Sequence, residues 1–121
     1  KAFFTKLGFT LNERHNGPHM LSMFVGSSKI VVNLFIETLF QNFIGGQSIT
    51  NTAQSNEILF SIGADSPAAV DEWARKAVEA GGTLYGQPGY RDGWMYGCGF
   101  IDLDGHRWNI LYMDMDKIPK G

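Results

Sequence analysis

The sequence predicts an α+β fold built from two similar units, each a small sheet packed on a helix, and three observations carry that reading. The second half reads as strand, helix and three strands, in that order. The first half repeats the order from its helix onward. Lys6-Leu7-Gly8-Phe9-Thr10-Leu11 matches Glu79-Ala80-Gly81-Gly82-Thr83-Leu84 in pattern: a helix end, a glycine stop and a Thr-Leu strand start. Further along, Val31-Val32-Asn33-Leu34 falls opposite Arg107-Trp108-Asn109-Ile110.

The elements follow in chain order. Phe3, Phe4 and Leu7 stand at helical spacing, and Gly8 sits where a helix end favours positive φ. Residues 10–14 and 19–25 read as strands around the turn Asn16-Gly17-Pro18. Gly26-Ser27-Ser28 signals a second turn, and the β-rich run 30–39 a third strand. Residues 41–56, with Gly45-Gly46 and many amides and hydroxyls, read as a linker or a lid. Alternation over 57–64 predicts a strand with Glu57, Leu59 and Ser61 on one face and Ile58, Phe60 and Ile62 towards the helix. Ser66-Pro67 is a helix start: the serine hydroxyl can cap a free N–H, and proline at the first helical position lacks one. Val70, Trp73, Ala74, Ala77 and Val78 then form one apolar stripe, and Gly81-Gly82 ends the helix. Strands are expected at 83–87, 96–102 and 107–113, with a glycine- and aromatic-rich loop after the first and the turn Asp104-Gly105-His106 before the last. The chain is thus read as a single domain, 1–121, with unit one at 1–40, the linker or lid at 41–56 and unit two at 57–121. The first unit lacks an opening strand, so the true N-terminus is expected upstream of Lys1.

Composition narrows the function. Nine Phe, four Tyr and three Trp beside 15 Gly suit tight turns on a sheet-rich core. A net charge of −2 with scattered Lys and Arg gives no basic footprint, so no nucleic-acid partner is expected. The longest apolar run, 30–36, spans seven residues and is broken by Asn33, too short for a membrane helix, so no membrane partner is expected. The single Cys98 cannot form an internal disulfide, and a cytoplasmic location is the default.

Two stretches carry a resemblance. Residues 1–9, Lys-Ala-Phe-Phe-Thr-Lys-Leu-Gly-Phe, resemble the first helix and its Leu-Gly-Phe ending in the vicinal oxygen chelate superfamily, which includes glyoxalases, bleomycin-resistance proteins and extradiol dioxygenases. Residues 100–110, Phe-Ile-Asp-Leu-Asp-Gly-His-Arg-Trp-Asn-Ile, resemble the Asp-Gly-His segment that closes the second unit, in the lactoylglutathione-lyase-like branch. The resemblance implies a cupped, incomplete-barrel mixed sheet. It also implies a divalent metal, Zn, Ni, Mn or Fe, held in the cup by residues from the first and last strands of each unit. A divalent ion there needs carboxylate or imidazole ligands and open positions for substrate oxygens. Asn33 and Asn109 stand where the resemblance places glutamates, and Glu57 stands where it often places histidine. Two amides forfeit two negative charges, so the metal site is expected to be weakened or lost, with Glu57 its best remaining ligand.

Three functions follow from that resemblance: a small-molecule-binding protein, expected as a homodimer, with its ligand in the cup; a metal-dependent lyase or dioxygenase; or a structural protein whose cup is filled by its own side chains. Asn33, Glu57, Arg91, Trp94, Tyr96 and Asn109 are the candidate ligand-binding residues, and Glu57 the candidate catalytic base. Arg91 suits an anionic group, and Trp94 and Tyr96 offer flat apolar area with polar tips. The same loop aromatics equally suit sheet packing or a dimer interface. Cys98, Asp102, Asp104 and His106 are read as packing and turn residues.

Overall fold

A computed structural model describes residues 1–25 and 30–118, and the turn expected at Gly26-Ser27-Ser28 lies outside them. Helix α1 (Ala2–Lys6) buries Phe3 and Phe4, and Gly8 leaves it at φ +95°, a conformation in which any side chain would be strained. Strand β1 (Thr10–Leu11) is shorter than expected. The chain leaves it at Asn12 for a 3-10 turn, Glu13–His15, because Asn16 draws the two ends together. Its side-chain amide donates to the Asn12 carbonyl at 2.7 Å, and its carbonyl accepts from the Ser22 N–H at 3.2 Å. Strands β2 (Met20–Phe24) and β3 (Val31–Phe35) complete an antiparallel sheet in the order β1-β2-β3, with Ser22 opposite Asn33.

The strand expected to run to Leu39 stops at Phe35, and α2 (Glu37–Phe43) follows. The β-type residues here turn into a helix whose last residue, Phe43, sets its ring edge-on to Phe35 at 5.0 Å. The second sheet holds β4 (Leu59–Gly63), β5 (Thr83–Arg91), β6 (Met95–Ile101) and β7 (Arg107–Met113) in the order β4-β7-β6-β5. Strand β4 runs parallel to β7, and the remaining pairs are antiparallel. Helix α3 (Pro67–Glu79) connects β4 to β5, and the Ser66 hydroxyl accepts the Ala69 N–H at 3.1 Å as the sequence predicts. Val70, Ala74 and Ala77 are buried, whereas Val78, expected on the same stripe, is 53% exposed. The expected glycine- and aromatic-rich loop is mostly strand, because β5 continues to Arg91 and leaves a tight turn at Asp92 and Gly93, both at positive φ.

The core lies on the helix side of the second sheet. Trp108 stacks on Phe60 at 4.6 Å and on Phe100 at 6.1 Å, and Phe4 and Phe9 close over it from the first unit. Met23 of β2 is fully buried in the same cluster. The architecture is therefore α+β, with two sheets that do not close into a barrel. Strands β3 and β4 each stand at one edge of their sheet, as β1 and β5 do at the other. Among the described residues, no helix is long and apolar enough to cross a membrane.

Candidate functional site

The second sheet has two faces of opposite character. Phe60, Ile62, Cys98, Phe100, Trp108 and Ile110 point to the helix-covered core. Leu59 and Ser61, Gly97 and Gly99, and Arg107, Asn109 and Leu111 alternate with them and take the other face, which no helix covers among the described residues.

A bulge shapes that open face. Leu84 pairs with Phe100 and Gly86 with Gly99, so Tyr85 is an extra residue on the same side as Gly86. The Tyr85 ring lies over Gly99; a Cβ at that position would run into its outer ring carbons and its hydroxyl oxygen. Its hydroxyl donates to Asn109 Oδ1 at 2.5 Å. The Arg107 guanidinium carbon stands 4.6 Å from the ring centroid. From the other end of the face, Arg91 reaches back along β5, its Nη2 3.9 Å from where a Cβ on Gly86 would sit. Burial pushes the Tyr85 phenol up, and the positive charges of Arg107 and Arg91 pull it back only in part. Among the described residues, neither Arg91 nor Arg107 has a carboxylate within ion-pairing distance.

The expected site residues divide between places. Arg91 and Asn109 share the open face, joined by Tyr85 and Arg107. Tyr96 lies on the opposite, helix-covered face, where its hydroxyl donates to Asp71 of α3 at 2.6 Å, and that hydrogen bond raises its pKa. Trp94 sits in the β5–β6 turn, half-buried, with its carbonyl accepting from the Asp114 N–H at 2.8 Å. Asn33 and Glu57 border a different space, a hollow of about 1150 Å³ between β3 and β4 that also takes in Phe60, His106 and Trp108. Glu57 precedes β4 and is exposed. Asn33 and Asn109, expected to line one shared cup, do not: Asn109 is turned to Tyr85 and takes no part in the wall of that hollow. The cause is local, since Asn33 is on an outer strand with open space at its edge, whereas Asn109 is in an inner strand beneath the bulged tyrosine.

One further group has metal-ligand chemistry. Ligand atoms of Asp102, Asp104 and His106 lie within 4.8 Å of one another. The buried Asp102 carboxylate is already engaged. Its Oδ1 accepts the N–H groups of Asp104 and His106, each at 2.9 Å, and its Oδ2 accepts Trp108 Nε1 at 3.0 Å and faces His106 Nδ1 at 3.3 Å. Both oxygens are used in holding the turn, as the sequence reading expects of Asp102.

Tyr85 and Arg107, which share that face with Arg91 and Asn109, are not among the residues singled out from the sequence. Both fall within strands read as such or beside them, and the bulge that brings Tyr85 over Gly99 leaves no signature in alternation. The spacing Gly86, Gly97, Gly99 was the available clue, since glycines inside strands mark close approach by something else.

No family model matches the chain, and no curated protein matches it. Solved structures do. The fold is that of the glyoxalase/bleomycin resistance/dioxygenase proteins, as the vicinal oxygen chelate resemblance implies. A glyoxalase-related enzyme from Fulvimarina pelagi superposes with a TM-score of 0.79 at 17% identity, over 92% of this chain and 76% of that one. A glyoxalase/bleomycin resistance protein/dioxygenase family enzyme from Burkholderia phytofirmans PsJN gives 0.71 at 20% identity, over 93% and 86%. The hypothetical protein SA1046 from S. aureus is 33% identical over 92% of this chain and 80% of its own, with a TM-score of 0.76, and the chain belongs to one family with it.

Proposed function

We propose that the protein binds a small molecule on the open face of its second sheet, and that it does so without a resident divalent metal at the positions the fold family uses. The observation that carries this reading is the Tyr85–Asn109 hydrogen bond at 2.5 Å. It turns the Asn109 carbonyl, the one atom of that side chain able to ligate a metal, onto a phenol and occupies one of its two lone pairs. With Asn33 elsewhere and no carboxylate or imidazole among the strand residues of that face, the donors do not fit a divalent transition metal. What remains is a platform: a tyrosine ring, an amide N–H2, two guanidiniums and the bare backbone of glycine positions, beside apolar Leu59 and Leu111.

The hollow beside Glu57 is the less suitable place. It exceeds the roughly 300–1,000 Å³ usual for small-molecule sites. It is also bordered by two outer strands, whose unpaired backbone groups suit an extended chain. A cytoplasmic, homodimeric protein belongs to the same reading, supported by the lone buried cysteine and by exposed apolar side chains such as Leu59 and Met113. The test is two-part. Equilibrium dialysis against Zn, Ni, Mn and Fe ions should leave far less than one ion per chain. A fragment screen followed by amide chemical-shift mapping should place the responses on Tyr85, Gly99 and Asn109. One tightly held ion per chain, or responses confined to the Glu57 side, contradicts the proposal.

A further inference from the structure

Resting on that reading, we infer that the ligand carries an oxyanion, a carboxylate or a phosphate, and that Arg91 and Arg107 grip it from the two ends of the open face with Tyr85 between them. The two arginines converge on neighbouring residues, and among the described residues neither has an ion pair. Arg91 closes β5 beside Met95, while Arg107 opens β7 beside Ile101, so their backbones stand at opposite ends of β6. Their side chains nonetheless lean towards each other, Arg107 over the Tyr85 ring and Arg91 over Gly86, the residue next to it.

The strand residues that share this face, Ser61, Gly97, Gly99, Asn109 and Leu111 among them, include no Asp or Glu. Among the described residues, Lys1, Lys6, Arg14 and Lys76 are likewise without an ion pair, whereas two other cations have one. Arg75 is bracketed by Glu72 and Glu79, and Lys117 stands 3.7 Å from Asp114. The two guanidiniums stand by the neighbouring residues Tyr85 and Gly86, on a face whose strands carry no carboxylate, and together they attract an anion. A planar guanidinium offers paired N–H donors that match the two oxygens of a carboxylate or phosphate. The Asn109 amide, whose carbonyl is held by Tyr85, has its N–H2 free to add a third donor.

The test uses the whole chain and two probes at constant ionic strength, inorganic phosphate and acetate, against chloride as the reference. Arginine Nε–H resonances are followed by NMR. Saturable shifts at Arg91 and Arg107 with either probe are expected, and the tighter of the two names the oxyanion. Arg91→Gln and Arg107→Gln should each weaken that binding by about tenfold, the loss of one charge-assisted hydrogen-bonding group. Arg91 is exposed and Arg107 half-buried, and unchanged amide spectra elsewhere verify the fold. Absence of saturation with both probes, or full affinity in both variants, overturns the inference. If uncharged fragments still map to Tyr85 and Asn109 in that case, the binding face stands and only the oxyanion is wrong. If nothing maps there, both readings fail together.

Discussion

Replacing Asp102 with alanine should cost about 3 kcal/mol of folding stability, although the residue touches no ligand-binding group. Asp102 is 6% exposed and Trp108 is 2% exposed, and the carboxylate is the acceptor for the indole N–H at 3.0 Å. Removing it strands that donor inside the Phe4–Phe60–Phe100 cluster, at about 1–3 kcal/mol for a buried unsatisfied group. The N–H groups of Asp104 and His106 also lose their acceptor, but Asp104 is exposed and water can replace it, so the pair adds only about 1 kcal/mol. A loss of about 3 kcal/mol is a large part of the ~5–15 kcal/mol that holds a domain folded. For a chain of this size it lowers Tm by about 9–15 °C, readable by calorimetry. Linkage supplies an internal check. Burial alone would push the Asp102 carboxyl up, but hydrogen bonds from His106 and Trp108 together outweigh it and hold the carboxyl below its ordinary value. Its contribution is therefore present above the unfolded pKa of about 3.9 and is lost as pH falls through the lower folded value. The gap between wild type and Asp102→Ala should narrow in acid. A loss under about 1 kcal/mol at neutral pH would refute the claim that this carboxylate holds the turn to the core.

The same turn should respond to pH from the basic side. The hydrogen bond to Asp102 raises the His106 pKa against the opposing effect of burial, so its stabilisation is present below about 6.5 and lost as pH rises through the folded value. The Tm difference between wild type and His106→Gln should shrink from about pH 6 to about pH 8.5, and a constant difference would contradict it. Gly99→Ala should push the Tyr85 ring off the sheet and break its bond to Asn109, so ultraviolet titration should find the phenol back near about 10. An unchanged titration would mean that the ring does not lie where the bulge puts it. Burial, aided by Asp71, pushes the Cys98 thiol up to about 11. The native protein should therefore resist maleimide near neutral pH and react fully once unfolded in urea; rapid native labelling would show the core to be open there.

Punctuation and periodicity carried most of the fold. Gly8, Gly81 and the Ser66-Pro67 start were readable because each reports a local backbone need, a positive φ or an uncapped N–H. Residues 36–39 read as strand from side-chain type alone, a weak preference that the chain overrides in α2. Val78 misled for a related reason: the stripe is set by what packs against α3, and its edge faces water. The candidate site is legible in part. Asn109 and Arg91 stand out in the sequence because an amide in place of an acid and an arginine beside aromatics are chemical signals. Tyr85 does not, because one extra residue in β5 shifts which side chains share a face, and alternation assumes no such slip. Tyr96 was assigned to the cup, and its partner Asp71, on a helix 25 residues earlier in the chain, places it on the other side.

The most direct test of the binding face is a crystal structure of the protein with the fragment that gives the largest chemical-shift response. Its density should lie against Tyr85 and Asn109, within reach of the two arginines. Density instead between β3 and β4, against Glu57 and Asn33, would contradict the account.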